Sequence, residues 1–272
     1  MYPPSFFIAL KSLSLIVIIK KKREKLNMEK DILEVQRNHL QNILKEVDQE
    51  ALEDIMEAFK VVYTYDAISL EGQNRIPYED VKTLIQQKTL LEYSEREQKE
   101  VLNHVAAFEK ILSMVKQKVT MTEEKLKDLH EMVVDGIFQG GVYRNVNIQM
   151  MGSTHQPTDH AKVYDRMHKL FSSLETMAFE TPLDEAIYMH ATLAKIHPFL
   201  DGNGRLARLV LNYYLIKNND LPISIPIKLK ETYIQQLEIF KIEKNIEPLK
   251  AFIEKLLIER YEDVINTLEI SK

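Results

Sequence analysis

Glycine and proline are scarce in this chain, and their scarcity limits the folds open to it. Only seven of the 272 residues are glycine and nine are proline, about half the average combined usage. Tight turns depend on these two residue types, so few of them are expected. At 45% apolar and 28% charged residues, the composition is that of a globular protein. We therefore predict an all-α protein built from long helices.

Cysteine content and charge exclude several classes of site and partner. The chain has no cysteine, which removes disulfides, thiolate nucleophiles and zinc–thiolate sites. Residues 1–27 carry six basic side chains and one acidic one, whereas the remaining residues carry 30 basic and 40 acidic side chains. A nucleic-acid-binding protein normally presents a basic surface, so we expect no nucleic acid partner.

The first 27 residues differ from the rest of the chain. Residues 5–19 form an apolar run that is interrupted only by Lys11 and followed by a basic cluster at 20–23. A signal peptide carries its positive charge before the apolar stretch, and a spanning helix needs about 20 apolar residues. Two other interpretations of this segment remain open, namely a membrane-associating leader and an N-terminal helix docked on the protein. We favour a native start at Met28, and with it a cytoplasmic protein.

Helix periodicity and capping residues divide the remainder of the chain. A capping box opens at Ser94, Thr122 is placed to cap the next helix, and Thr181 precedes Pro182 at a third start. The segment 145–162 lacks helical periodicity, which predicts a short β-hairpin or an extended flap. We divide the chain into a leader (1–27), an N-terminal helical region (28–120) and a core with C-terminal helices (121–272). The predicted helices cover about 31–47, 51–65, 76–87, 94–116, 122–134, 182–196, 202–214, 228–243 and 247–268.

The most informative segment runs from His197 to Arg208 and reads HPFLDGNGRLAR. Pro198 ends one helix, and the glycines at 202 and 204 lead into the next. A Gly-Asn-Gly turn before a helix presents unpaired backbone N–H groups and the positive end of the helix dipole, a geometry that binds phosphate. Gly202, Asn203 and Gly204 are therefore the candidate anion nest.

Charged and titratable residues surround this turn. Arg205 and Arg208 are three residues apart and share one helix face, so two guanidinium groups can bind polyphosphate oxygens bidentately. Asp201 would repel phosphate unless a cation lay between them, and Mg²⁺ is the usual bridging ion. His197 is the natural proton acceptor, because its pKa is ordinarily near neutrality.

These residues resemble the signature of the Fic family, His-x-Phe-x-(Asp/Glu)-Gly-Asn-Gly-Arg-x-x-Arg, at every defined position. The resemblance extends from about residue 125 to 245. The stretch Gly141-Val142-Tyr143-Arg144 is similar to the family's approach to its flap, and residues 147–163 occupy the place of the flap. The resemblance implies a Fic-type helical bundle with one short β-hairpin flap that pairs with a target segment.

The family resemblance also implies an activity, which is AMP transfer from ATP to a hydroxyl of a target protein. His197 would then be the base, Asp201 would hold Mg²⁺, and Gly202 to Gly204 would form the anion nest. Arg205 would bind phosphate oxygens and Arg208 the γ-phosphate. The implied partners are ATP and a protein with a serine, threonine or tyrosine hydroxyl. Self-modification and pairing between two copies of the chain are further expectations.

A second segment, Ala67 to Gly72, resembles the family's inhibitory motif, (Ser/Thr)-x-x-x-Glu-(Gly/Asn). The resemblance implies that Glu71 pairs with Arg208 and displaces the γ-phosphate from it. The motif departs from the pattern at its first position, where Ala67 lacks a hydroxyl. We expect an autoinhibited protein whose Glu71→Gly variant is hyperactive.

Other functions stay open at this point. The same fold could transfer UMP or phosphocholine, or remove AMP from a modified target with the help of Glu71. A non-catalytic nucleotide-binding module is disfavoured because His197 and Asp201 are intact. A metal hydrolase built on His190, His197 and Asp201 is disfavoured because no set of three ligands is evident, and we expect His190 to be packed against the preceding helix.

Overall fold

The computed structural model describes residues 32–47, 49–149, 155–174 and 176–270, and all of their regular structure is helical. Residues 32–43 form α1. The later helices are α2 (Gln49–Ser69), α3 (Tyr78–Gln87), α4 (Glu95–Lys116), α5 (Glu123–Val133), α6 (Val163–Leu174), α7 (Pro182–Ile196), α8 (Asn203–Lys217), α9 (Lys230–Glu243) and α10 (Glu247–Ile270). Two short 3₁₀ turns precede α6 and α9.

The helix starts confirm the capping predictions. The Ser94 hydroxyl accepts the Glu97 N–H, while the Glu97 carboxylate accepts the Ser94 N–H at 3.1 Å, a complete capping box at the start of α4. Thr181 and Asp184 form the same box at α7, with Pro182 in its first turn. Local side-chain chemistry therefore determines where these helices begin.

Helix α8 lies at the centre of the larger of two compact units, which contains the described residues from 49 to 256. Residues 203 and 205–215 are all buried, and α8 contacts α2, α4, α5 and α7. A helix buried on all sides normally carries few polar side chains. Arg205 and Arg208 are buried on α8 nevertheless, so this helix must hold buried positive charge for a reason other than packing.

The smaller unit contains the described residues 32–47 and 257–270. Leu33, Leu40 and Ile43 of α1 are buried there. The His39 ring lies 2.9 Å from the Glu269 carboxylate at the edge of the unit. The predicted leader falls outside the described residues. No helix in the described part of the chain combines the length and apolarity needed to cross a membrane.

The predicted β-hairpin over 145–162 is wrong for the arms that the structure describes, 145–149 and 155–162, which contain no strand. Residues 150–154 lie outside the description. A hairpin requires backbone-to-backbone bonds between its arms. Here side chains join them: the Asn147 carbonyl oxygen accepts the His160 N–H at 2.8 Å, and Arg144 donates to the carbonyls of Val146 and Thr158. The described arms form no strand pair, and the second arm ends in the 3₁₀ turn His160–Lys162.

Helix α6 was not predicted from the sequence. It directly follows the 3₁₀ turn His160–Lys162, and its buried residues are Val163, Met167 and Leu170. This apolar spacing of four and three residues is helical, but the segment lacks the capping signals that marked α4 and α7.

Candidate active site

His197 ends helix α7 in the left-handed conformation, with φ 54° and ψ 63°. Its N–H donates to the Leu193 carbonyl at 2.9 Å, which completes the last turn. Burial lowers the pKa of His197 to about 4, and the charge of Lys241 contributes in the same direction. The ring is therefore neutral at pH 7 and can accept a proton.

Arg144 holds the main chain on both sides of this bend. Its Nε donates to the His197 carbonyl at 2.8 Å, and its backbone N–H donates to the Pro198 carbonyl at 2.9 Å. The Arg144 side chain is itself buried. Sequence reasoning noted Arg144 only as part of the approach to the flap, and gave it no role at the histidine.

The loop between α7 and α8 is closed by Asn203. The Asn203 amide accepts the Phe199 N–H and donates to the Phe199 carbonyl, both at 2.9 Å. Gly202 adopts φ +75° and begins α8, and a Cβ there would lie 2.9 Å from Val134 Cγ1. The Asn203 side chain thus shapes the turn, within which the Gly202 N–H donates to the Asp201 carboxylate at 2.6 Å.

His130, on α5, contacts this loop and is a residue that sequence reasoning missed. Its Nδ1 accepts the Gly141 N–H at 3.0 Å, so its Nε2 carries the proton that is donated to the Asp201 carbonyl at 2.9 Å. The ring also stacks on Phe199, with centroids 3.6 Å apart. Burial lowers the pKa of His130 to about 4, which keeps it in this neutral, bridging form.

The two arginines lie on the buried face of α8 and are only partly satisfied by protein. Arg205 donates to the Val133 carbonyl at 3.4 Å and lies 3.8 Å from Asp201. The Nε atoms of both Arg205 and Arg208 are buried without a hydrogen-bond partner in the described structure. Buried donors normally have partners, so these two atoms indicate a site for an anionic ligand.

Glu71 lies directly on Arg208, as the inhibitory motif predicts. Arg208 Nη2 donates to Glu71 Oε1 at 2.6 Å and to the Ala67 carbonyl at 2.7 Å. Burial alone raises the pKa of Glu71, but the charge and hydrogen bond of Arg208 outweigh it, and the pKa lies below its usual value. Glu71 is therefore ionised at neutral pH and is an acceptor for the arginine.

Gly204 permits this close approach. A Cβ at Gly204 would collide with the Glu71 carboxylate and lie 3.1 Å from Arg208 Nη1. The remaining space is a cavity of about 30 Å³ whose lining includes Glu71, Asp201 and Arg205. This volume is on the scale of a water molecule and is too small for a triphosphate. With Glu71 in place, this cavity therefore has no room for a triphosphate.

Asp201 is half-buried and has a cationic neighbour that sequence reasoning did not foresee. Its Oδ2 lies 3.3 Å from Nη2 of Arg96, at the start of α4. Arg96 also pairs with Glu100 at 3.2 Å and lies over the ring of Phe138. One carboxylate oxygen of the predicted Mg²⁺ ligand therefore faces a guanidinium group.

His190 is buried, and its hydrogen-bond partners lie on α8 and α9 rather than on the preceding helix. Its Nδ1 donates to the Ala207 carbonyl at 2.9 Å, and its Nε2 accepts from the Tyr233 hydroxyl at 3.0 Å. With both ring nitrogens occupied, His190 is not free to bind a metal. No group of three histidine or carboxylate side chains among the described residues is placed to hold one.

The fold and the site together define a helical unit in which a histidine ends one helix and a glycine-containing turn leads into the next. Residues 120–215 match the family model described as the Fic/DOC family. The matched residues include the whole signature, and the resemblance to the Fic family drawn from that signature is confirmed over them.

Similar proteins support this assignment. Protein adenylyltransferase Fic of Drosophila persimilis is 28% identical over 201 residues, which cover 70% of this chain and 38% of that protein. The chain thus spans well under half the length of such curated relatives.

Two solved structures share the fold. A Fic-domain-containing signaling protein of Bacteroides thetaiotaomicron has a TM-score of 0.78 at 21% identity, with 88% of this chain and 97% of that chain covered. Fic-1 of C. elegans has a TM-score of 0.77 at 20% identity, covering 96% of this chain and 79% of that chain.

Proposed function

We propose that this protein transfers AMP from ATP to a hydroxyl group of a target protein and that Glu71 restrains this activity. The observation that supports it best is the convergence of a neutral His197, the turn 201–204 and two buried, incompletely bonded arginines at one end of α8. Relatives named protein adenylyltransferase support the same reaction.

The proposed reaction is a displacement at the α-phosphorus of ATP. The target hydroxyl oxygen forms a bond to this phosphorus, the bond to pyrophosphate breaks, and His197 takes the hydroxyl proton. The products are an AMP–protein phosphodiester and pyrophosphate. Such transfers depend mainly on alignment and charge stabilisation, which is consistent with a site that offers a base and anion ligands but needs no nucleophilic side chain.

Asp201 fits a metal ion that arrives with the nucleotide. Mg²⁺ is commonly bound by one or two protein carboxylates together with substrate phosphates and water, and Asp201 supplies one half-buried carboxylate beside the arginines. When bound, Mg²⁺ would neutralise phosphate charge next to Asp201. The Arg205 Nε, which has no partner among the described residues, is placed to bind the same phosphate group.

The proposed restraint is charge competition at Arg208. The Glu71 carboxylate occupies Nη2 of Arg208 and places negative charge where the γ-phosphate would bind. ATP that binds without this contact would hold its α-phosphate out of line with the attacking hydroxyl. A misplacement of about 1 Å can reduce the rate by about 100-fold, so the intact pair is enough to keep the protein weakly active.

The test is intact-mass analysis of three proteins after incubation with ATP and Mg²⁺. Glu71→Gly should gain the mass of AMP by self-modification, wild type should gain little, and Glu71→Gly/His197→Ala should gain none while still binding ATP. The exposed Glu92 and His168 provide matched controls: Glu92→Gly should behave as wild type, and His168→Ala should not diminish labelling by Glu71→Gly.

The same incubation also tests the alternative donors. UTP, GTP and CDP-choline should give no added mass under conditions in which ATP does. Undiminished labelling after loss of His197 would contradict the proposed base. Equal labelling of wild type and Glu71→Gly would contradict the restraint without contradicting the transfer reaction.

A further inference from the structure

A second groove, separate from the candidate active site, lies between α6, α7 and the end of α9. Its volume is about 450 Å³, within the range of small-molecule sites. Of its ten lining residues in the described part of the chain, four are cationic and none is acidic, in a protein of net charge −5. We call this cavity the basic groove, after its cationic lining residues Arg166, Lys169, Lys195 and Lys244.

These cations face one another with little neutralisation. The pKa of Lys195 is lowered by burial and, beyond that, by the positive charges of Lys244 and Arg166. Lys169 pairs with Asp165 at 3.1 Å, and both side chains are exposed, so this pair is weak. The side chains of Arg166 and Lys244 make no hydrogen bond or ion pair among the described residues. Clustered like charges are unfavourable unless an anion joins them.

Hydroxyl groups complete the lining of the basic groove. Thr192 lies one turn before Ile196 on α7, and its Oγ1 is buried without a hydrogen-bond partner in the described structure. A buried hydroxyl without a partner is unusual in a folded protein. Thr192 therefore offers a donor, beside the four cations, to a ligand that enters the groove.

We propose that the basic groove binds a phosphate monoester. A phosphate group offers three acceptor oxygens and nearly two negative charges, which match one guanidinium, several ammonium groups and a hydroxyl. The groove contains none of the residues assigned to nucleotide binding, so the proposal holds whether or not the protein transfers AMP. The ester has two sources, a phosphorylated side chain of a protein partner or a free phosphorylated metabolite.

The position of the groove suggests why a ligand there would matter. Lys195 and Ile196 line the groove and immediately precede His197. Thr158 lines it from the arm 155–162. Arg144 connects the two, because it donates to the carbonyls of Thr158 and His197. A bound phosphate would thus contact both the last turn of α7 and the segment that takes the place of the flap.

The test is calorimetric titration of the full chain with three probes: inorganic phosphate, glucose 6-phosphate, and a short phosphoserine peptide with its unphosphorylated form. We expect the phosphate-bearing probes to bind and Arg166→Gln/Lys244→Gln to weaken that binding at least about tenfold, because two charged hydrogen bonds are lost. The matched control is Lys110→Gln/Lys116→Gln, which removes two exposed charges from α4 and should leave the affinity unchanged. Circular dichroism establishes that both double variants are folded.

Adding saturating ATP and Mg²⁺ to the Glu71→Gly protein separates the basic groove from the active site. Probe binding that persists supports the proposal, and tighter binding of the phosphopeptide or of glucose 6-phosphate identifies the source of the ester. The proposal is overturned if no phosphate-bearing probe binds, if Arg166→Gln/Lys244→Gln binds as wild type does, or if ATP displaces the probe completely.

Discussion

Glu71 and Arg208 are separated by 137 positions in the chain, yet Glu71 Oε1 lies 2.6 Å from Arg208 Nη2. The pair joins the end of α2 to the second turn of the central helix α8. Arg208 is buried, whereas 37% of the Glu71 side chain is exposed. The acid is therefore the partner that can leave, and the arginine stays where a phosphate would need it.

Loss of Glu71 should raise activity and lower stability together. Glu71→Gly frees Arg208 for the γ-phosphate, and we expect AMP incorporation from radioactive ATP to increase at least about tenfold. It also leaves a buried cation that keeps the Ala67 carbonyl and the Tyr233 hydroxyl as partners but loses its anionic one. Because Glu71 is partly exposed, we expect a cost of about 1–2 kcal/mol in urea unfolding, below the cost for a fully buried pair. An active variant as stable as wild type would contradict the structural half of this prediction.

Arg96 should compete with Mg²⁺ for Asp201. Its Nη2 lies 3.3 Å from Asp201 Oδ2, so a metal at this carboxylate has to displace or share the guanidinium contact. In the Glu71→Gly background, Arg96→Ala should lower the Mg²⁺ concentration that gives half-maximal AMP transfer several-fold. Lys99→Ala removes the same charge one turn along α4 and should not change it. An unaltered Mg²⁺ dependence in Arg96→Ala would show that this contact has no part in metal binding.

The pH dependence of transfer should report the low pKa of His197. Burial holds this pKa at about 4, so the base is neutral down to about pH 5 and becomes protonated only below that. A histidine with the usual pKa near 6.5 would be about 90% protonated at pH 5.5. We expect kcat/KM of Glu71→Gly to be nearly constant from pH 7.5 to 5.5. A midpoint near 6.5 would show that His197 is accessible to water in the active form.

Stability should fall with acid through the buried histidines. The folded pKa of His190 is about 4, below the unfolded value of about 6.5, so between these values the unfolded chain binds more protons. Stability from this residue is complete above pH 6.5 and is lost as the pH falls towards 4, by about 1 kcal/mol at pH 5.5. Urea unfolding at pH 7.5 and 5.5 measures this loss.

His190→Gln should reduce the pH dependence of stability by about that amount, whereas His160→Gln should not. His160 is exposed and provides the matched control. An identical pH dependence in wild type and His190→Gln would mean that His190 is not kept neutral by the fold.

Local sequence determined the features that were predicted correctly. The capping boxes at Ser94 and Thr181 involve residues three positions apart, and the turn from His197 to Arg208 is one continuous segment. Both features can therefore be predicted from the sequence without knowledge of the tertiary structure. Short spacing also made the Ala67–Glu71 motif visible, although only the fold could show that it reaches Arg208.

The residues that support the site were hidden for the opposite reason. His130 bonds to a carbonyl 71 positions away, and Arg96 contacts a carboxylate 105 positions away. Neither lies in a motif, and each resembles an ordinary helix residue until the chain is folded. The β-branched residues of the segment 145–162 and its lack of helical periodicity favour a hairpin. In the structure, the side chains of Arg144 and Asn147 join the described arms in place of the backbone bonds that a strand pair needs.

The Ala67 carbonyl has a consequence for how this restraint tolerates mutation. The family pattern places a hydroxyl side chain at this position, and here a backbone oxygen contacts Arg208 at 2.7 Å. Every amino acid carries that oxygen, so the contact survives any replacement that preserves helical geometry and fits the tightly enclosed site, where Ala67 is 1% exposed. Mutations that abolish the proposed restraint are therefore expected to replace Glu71 or to unwind helix α2. Replacement of Ala67 alone is expected to abolish it only rarely.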